Sequence, residues 1–449
     1  MPLNNLPTDI QSVIQTGELE HAFQMPLEAK LGFRSIADRE PFEAQIGETI
    51  TKTRTGLLPA ITTPMAPAAN SDFTSGLTDQ NWPVEQYTLG IAQYAGTMQV
   101  NVATSRVAIA RIYLRNAMTL AEQAARSIDL LAQASLFSAY MGGNTSVLTT
   151  LSAAGTAVHV NDIRGFRTTL NNEGQRVPVS STNPVNVQVG SDIYSLVGTA
   201  ADGSNVSTVP GGVSGTLTFS AAVSVADGTA GNAVVSSVAP YVMRPSSTAG
   251  VMVETTAGVT PSTLNNGRLT MEMLLIAKAQ LAANGVPGVA GDTYRFFCDP
   301  IQATGLFNDP AFQQLYRGQP NTKEFRRGVV QDILGIDIIE TNLNPVQALA
   351  GNNVRRGIMC GQGALIEGLF TPTAYRETDD DGASDDLKVI HDGIAHVTRP
   401  PLDTLGQVIT QSWAYIGGFV VPTDVTANSQ TIPTASNAQY KRGVLVESL

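Results

Sequence analysis

The sequence predicts an α+β chain that carries an inserted all-β module. Three observations predict it. From about Val107 to Met141 apolar side chains recur at helical spacing for some thirty positions. Residues 180–260 switch to alternation, with valines and other apolar residues set against Ser, Thr, Gly and Asn. After Pro261 helical text returns and then gives way to strands, so the β-rich stretch interrupts a chain that is mixed on either side.

Composition bounds the class further. Only 14% of the 449 residues are charged, against roughly a quarter in an average soluble domain, while 43% are hydrophobic. A disordered chain needs the opposite balance. The net charge of −11 excludes a protein that tracks nucleic acid by neutralising phosphates. The basic residues are 21 Arg and 6 Lys, a bias that suits buried or interface ion pairs because guanidinium is weakly hydrated and pairs bidentately. A subunit of a large assembly and a mainly β protein with Ser/Thr-rich faces both account for the charge deficit. Length allows two to three domains. The two cysteines, Cys298 and Cys360, are too far apart for a zinc-ribbon spacing, and Cys298 follows the apolar run Tyr294–Phe297 as a buried thiol. The first twenty residues have no basic head and apolar run, and no stretch reaches ~18 uninterrupted apolar residues. The expectation is a soluble chain from a reducing compartment, without a membrane.

The elements follow in order. Residues 1–42, with Pro2, Pro7 and Pro26, predict an N-terminal arm with brief helices. Residues 43–104 hold two strand-like segments, Glu43–Pro59 and Val84–Val102, joined by a proline-rich crossing into a long β-hairpin. Such a hairpin has little apolar surface of its own and is marginal in water without support. Residues 105–179 begin with the long helix, which Gly142-Gly143-Asn144 stops. Residues 180–260 predict a small β-barrel or immunoglobulin-like module, with turns at Ala201-Asp202-Gly203, Pro210-Gly211-Gly212 and Asp227-Gly228. Only five charged residues fall in it: Asp192, Asp202, Asp227, Arg244 and Glu254. Residues 261–375 predict a helix capped at Thr263 or Asn266 and ending at Asn284-Gly285. A buried strand at Tyr294–Asp299, a short helix near Pro310–Tyr316 and a strand-turn-strand at 329–342 follow. Residues 376–422 carry an acidic loop and further strands, and 423–449 read as a C-terminal arm.

Candidate chemistry is sparse. With Gly382 as position six, an EF-hand loop takes Glu377, Asp379 and Asp381 as its first ligands, but position twelve is Lys388 where a bidentate Glu is needed. A solvated turn, or an acidic contact for a neighbour's arginines, is the better reading of 377–386. His391 and His396 fall on opposite faces of a strand and make a poor metal pair, while His21 and His159 stand alone. In Gly361-Gln362-Gly363 the next glycine, Gly368, comes two residues late for a dinucleotide fingerprint. Walker A, HExxH and GxSxG motifs are absent, so the expectation is a protein that is not an enzyme and needs no cofactor.

The order of elements carries a resemblance. Arm, hairpin, long helix, inserted β-module and an α/β region with late long strands resemble the major capsid protein of tailed bacteriophages, the Hong Kong 97-like fold. Locally, Pro41-Phe42-Glu43 with Ile46-Gly47-Glu48-Thr49-Ile50 matches the opening of its hairpin. The segment Gly335-Ile336-Asp337-Ile338-Ile339-Glu340-Thr341-Asn342 is similar to a G-v-x-v-x-x-s-N strand of such coat proteins. The resemblance implies a hairpin (E-loop) that reaches over a neighbouring subunit, a spine helix and late strands in a peripheral (P) domain, and an axial (A) domain after Pro261. It implies hexamers and pentamers in an icosahedral shell around double-stranded DNA bound without sequence specificity, assembled in the host bacterial cytoplasm. Portal, scaffold and decoration proteins are the implied partners. The candidates for intersubunit contact are Lys52, Arg54, Arg106 and Arg111, with Asp379, Asp380 and Asp381 as acceptors; internal pairing or solvation is an equally open reading of each. Three alternatives remain: an encapsulin-type nanocompartment shell, a secreted β-rich adhesin, and a hydrolase.

Overall fold

The computed structural model describes residues 8–41, 49–55, 84–101, 109–202, 214–236, 242–245, 252–253, 267–316, 332–349, 352–369, 387–422 and 441–449, less positions 16, 29–31, 141, 164, 171–175, 400, 402–403 and 406 within them. The chain opens on α1 (Thr8–Gln15), α2 (Glu18–Glu28) and a 3-10 turn (Phe33–Ile36). Then come β1 (Ala37–Pro41), β2 (Thr49–Thr55), β3 (Val84–Gly90), β4 (Ala92–Asn101) and α3 (Ile109–Tyr140). Next are β5 (Asn144–Ser146), β6 (Gly155–Val160), β7 (Thr168–Leu170), β8 (Arg176–Pro178), β9 (Val185–Val189), β10 (Asp192–Ala201), β11 (Gly215–Val223) and β12 (Ala233–Ser236). Further on lie β13 (Val242–Pro245), β14 (Met252–Val253), α4 (Met271–Ala283), β15 (Tyr294–Cys298), α5 (Pro300–Phe307) and α6 (Pro310–Tyr316). Strands β16 (Asp332–Ile333), β17 (Ile336–Glu340), β18 (Val346–Leu349), β19 (Asn352–Cys360) and β20 (Leu365–Leu369) follow. The last are β21 (Leu387–His391), β22 (Ile394–Arg399), β23 (Val408–Val420) and β24 (Gly443–Ser448). The chain is α+β, and it divides into two units: residues 1–50, 88–136 and 365–421, and residues 51–87, 137–364 and 422–449.

In the first unit β23 is the axis of a six-stranded sheet. Val408–Gly417 pair antiparallel with β4; on the other side β22 takes Thr410–Tyr415 and β20 takes Gly417–Val420. Gly418 allows that hand-over, because a Cβ there would run into the carbonyl oxygen of Gly90. Helix α3 has 32 residues, about 48 Å at 1.5 Å each. Its Ala117, Leu120, Ala121, Ala124, Ala125 and Ile128 have no exposed surface. Four alanines on one stripe keep that face low, and Phe23, Trp413 and Tyr415 fill the space above it.

Two expectations change here. The strand expected over Val84–Val102 is two strands: β3 pairs with β2 in a two-stranded ribbon, and after Ile91 the chain joins β23 as β4. Tyr94 and Met98 pack with α3, and Val100 with α1, so the inward positions of β4 find a core that a ribbon lacks. The arm expected over 1–42 is docked. Ile10, Val13 and Leu19 pack with Ile109, Tyr113, Ala117 and Ile409, and β1 runs parallel to β20 from Ala37 opposite Leu365.

In the second unit β5-β12-β9-β10-β11-β6 form an antiparallel sheet. A bridge between Val147 and Val160, with Leu148 N–H donating to the His159 carbonyl at 2.8 Å, joins its two edge strands. The sheet is therefore a closed six-stranded barrel without an open edge. Val147, Val158, Val160, Val185, Val187, Val189, Val223 and Val234 dominate its core, β-branched residues suited to a pleated wall. The barrel differs from the expected 180–260 module at both ends. It recruits β5 and β6 from the stretch assigned to the region after the long helix, because closure needs partners for β12 and β11. It ends at Ser236, since β13 pairs instead with β24.

Elsewhere in this unit β7 and β8 pair as a two-stranded ribbon, and eight further strands form a sheet ordered β14-β13-β24-β19-β15-β17-β16, with β18 on β19. The expected C-terminal arm is thus partly a core strand: β24 is buried at all six positions, between β13 and β19. Its Val444-Leu445-Val446 run has the continuous apolar character of a strand covered on both faces. Helix α4 starts after Thr270, whose side chain caps the Met273 N–H, several residues later than expected. Asp299 and Gln302 form a capping box on α5, with Pro300 at the first helical position.

Candidate functional site

Of the residues expected at intersubunit contacts, Lys52 lies half-buried in β2, Arg54 lies in the same strand, and Arg111 is exposed in the first turn of α3. Arg106, Glu377, Asp379, Asp380 and Asp381 fall outside the described residues, and the EF-hand alignment falls there with them. Among the described residues no three His, Cys, Asp or Glu are grouped to hold a metal ion. Gly361-Gln362-Gly363 turns the chain from β19 into β20, Gly361 N–H donating to the Arg442 carbonyl at 3.0 Å and Gly363 taking φ +75°. Both cysteines are buried free thiols. Burial pushes Cys298 up to about 12, and pushes Cys360 up as well.

The densest polar site was not expected from the sequence. Arg34, in the 3-10 turn, is almost completely buried, and its Nε donates to both carboxylate oxygens of Glu367 at 2.9 and 3.1 Å. Its Nη1 and Nη2 donate to Oδ2 and the carbonyl of Asp392 at 2.9 and 2.8 Å. Tyr415 donates its hydroxyl to Glu367 Oε1 at 2.8 Å and lays its ring under the guanidinium, 5.7 Å from Cζ. Arg39, half exposed, adds a second cation on Asp392. Asp392 (φ +53°) and Gly393 (φ +79°) form the β21–β22 hairpin turn, a type I′ geometry that Asp-Gly accommodates. The turn aims the Asp392 carboxylate back at the two arginines. Burial opposes the Arg34 charge, but hydrogen bonding and attraction from Glu367, then Asp392, outweigh it and hold its pKa above the usual value. Burial and the Glu367 charge push Tyr415 up. The site thus gathers β20, the β21–β22 turn and β23 on Arg34, and β1 joins it through Arg39. Among the described residues the strong donors of this site face carboxylates or a carbonyl, which makes it a fastener.

Two analogous arrangements lie in the second unit. Neighbours on β19 point to opposite faces: Arg356 meets Glu447 at 3.0 Å in a buried pair, and Arg355 meets Asp299 at 2.7 Å. In the barrel Asp227 accepts from Ser191 N–H at 3.0 Å, Ser191 Oγ at 2.9 Å, Tyr194 at 2.8 Å and Ser224 at 2.7 Å. Burial works against that carboxylate, yet the four donors hold its pKa down at about 2. His159, read from sequence as standing alone, meets Asp202 at 2.7 Å on the barrel surface. Ser214 donates to the same oxygen at 2.6 Å, and together these hold Asp202 below the usual carboxylate range.

No family model matches the chain. No curated protein is similar to it in sequence. Among solved structures it is similar to the capsid of Ralstonia phage GP4, at 13% identity and TM-score 0.48, over 94% of this chain and 90% of that one. The capsid of cyanophage P-SCSP1u is similar at 12% identity and TM-score 0.45, over 93% and 88%. The capsid of cyanophage Pam1 is similar at 10% identity and TM-score 0.44, over 94% and 92%.

Proposed function

We propose that this chain is the major capsid protein of a tailed bacteriophage, built on a Hong Kong 97-like fold with an inserted β-barrel. It self-assembles as hexamers and pentamers into an icosahedral shell that encloses double-stranded DNA. One observation carries the reading: the order of elements about α3. A ribbon (β2–β3) precedes the helix, a closed barrel follows it directly, and the late strands β20 to β23 return to the sheet that α3 covers. The low charge of the sequence, with arginine in place of lysine, fits a subunit whose surface is largely covered by neighbours. A two-stranded ribbon is marginal alone. In this reading β2–β3 is the arm that reaches a neighbour, Lys52, Arg54, Arg106 and Arg111 offer cations along it and beyond, and the 377–386 segment offers carboxylates. Portal, scaffold and decoration proteins are the further partners, and the virion capsid, assembled in the host cytoplasm, is the location.

Negative-stain electron microscopy of the purified chain and of its source particle tests this. Closed icosahedral shells holding DNA are expected. Shells loaded with a cargo protein would indicate a nanocompartment instead, and a monodisperse monomer under all assembly conditions would sink both readings. Deleting residues 60–82 should leave a folded subunit that does not assemble; normal shells from that deletion would refute the arm.

A further inference from the structure

His396 lies in the middle of β22 with no exposed surface, and among the described residues neither of its ring nitrogens has a hydrogen-bond partner. Its ring is 5.0 Å from that of Phe23 in α2, tilted by 50°. Phe23 is itself fully buried, packed with Leu120, Ala121, Ala124, Ile128, Ile394 and Trp413. A neutral imidazole has one donor and one acceptor, and leaving both unmade inside an apolar cluster is costly; a protonated ring would leave two donors and a charge there. Burial alone pulls the His396 pKa down, to about 4.

The charged groups on the elements around it do not relieve this. Glu20 and His21 on α2 are exposed, as are Glu122 and Arg126 on α3. Asp129 on α3 is buried and accepts from the backbone N–H groups of Arg34, Phe33 and Gly32. Glu367 on β20 is engaged by Arg34, and Asp392 in the adjoining turn by Arg34 and Arg39. Lys388 and His391 lie on β21 and Arg399 on β22, while β4 and β23 carry no Asp, Glu, Lys, Arg or His. The elements flanking the ring also differ in how firmly they are held. β22 is fixed by ladders to β21 and β23 on both sides, whereas α2 is an 11-residue helix interrupted by Pro26.

We propose that His396 is an acid-released latch for α2: uncharged, it lets α2 dock through Phe23, and once protonated it drives α2 off the sheet so that the ring reaches water. This goes beyond the capsid reading and does not depend on it. Because the docked pKa lies below the ordinary value near 6.5, docking is complete above that pH and is lost as pH falls toward 4. The undocked fraction should rise roughly 30-fold between pH 7.5 and pH 5. Asp129 has the opposite sign, since burial lifts it to about 6 and acid removes its buried charge, so it cannot be the source of an acid-driven release.

Amide hydrogen exchange on the full chain, corrected for intrinsic rates, reads the opening of Glu18–Glu28 against α3 and β22 as internal references. The expected result is a roughly 30-fold loss of protection confined to α2 between pH 7.5 and 5. His396→Leu should flatten that profile and His21→Gln should leave it unchanged. Acid loss that persists in His396→Leu, or that strikes α3 and β22 equally, overturns the proposal. If His396→Leu does not fold, histidine-selective NMR titration of the unmodified chain decides. A His396 signal that stays untitrated down to about pH 5 while α2 is docked supports the latch, and one titrating near 6.5 in the docked chain overturns it.

Discussion

Arg34 and Glu367, 333 positions apart in sequence, share two hydrogen bonds through Nε inside a site where neither side chain is more than 1% exposed. Removing one partner leaves a buried charge without compensation. Glu367→Ala is therefore expected to destabilise the first unit by about 3–5 kcal/mol. The double variant Arg34→Met, Glu367→Leu should recover much of that loss, because it buries no orphaned ion. Urea unfolding followed by Trp413 fluorescence, in a Trp82→Phe background, measures both; a double variant weaker than the single would contradict this account.

Asp227 makes a pH prediction. Its folded pKa of about 2 lies below the unfolded value near 3.9, so the contribution is complete above pH 4 and fades as pH falls toward 2. Asp227→Ala should cost the barrel about 2 kcal/mol at pH 7 by orphaning the Tyr194, Ser191 and Ser224 donors. The gap between variant and parent should shrink in acid, which melting curves at pH 7 and pH 3 will show.

Glycines separate two kinds of backbone need. Gly418→Ala places a Cβ against the Gly90 carbonyl, backbone on backbone, and should abolish a folded first unit. Gly285→Ala meets nothing within 4 Å but must hold φ +69°, so its cost should be only about 1–2 kcal/mol. Circular dichroism and thermal melts of the two variants should differ accordingly.

The thiols of Cys298 and Cys360 should resist alkylation in the folded chain at pH 8, since burial keeps both protonated and covered. Mass spectrometry after iodoacetamide should find them unmodified without denaturant and fully modified with it. Labelling of the native chain at either site would mean that the second unit opens far more readily than its packing implies.

What could be read from sequence was periodic. Helix α3 was expected within two residues of its ends because its apolar stripe repeats over nine turns, and the valine alternation announced a barrel or sandwich. Partners were harder to read. The Val444-Leu445-Val446 run signals a buried strand, but nothing local names its partners near 242 and 355 or marks Asn144–Ser146 as part of the barrel wall. The same holds for Arg34: an arginine in a short turn reads as solvated until the fold brings Glu367 and Asp392 to it. The one available hint was Asp392-Gly393, a hairpin dipeptide whose acidic residue had no local cation.

The pairing of β5 with β12 also fixes where the barrel joins the rest of the chain. Its first and last strands are neighbours, Asn144 opposite Val235, and Ser236 N–H donates to the Gly143 carbonyl at 2.7 Å. Chain enters and leaves through one doorway two backbones wide. Such a graft can be lengthened, exchanged for another closed barrel, or cut out and bridged by a short glycine linker without stretching its host. Foreign sequence inserted between Asp202 and Ser214 would then travel with a self-contained passenger whose fold asks nothing of the flanking chain beyond that doorway.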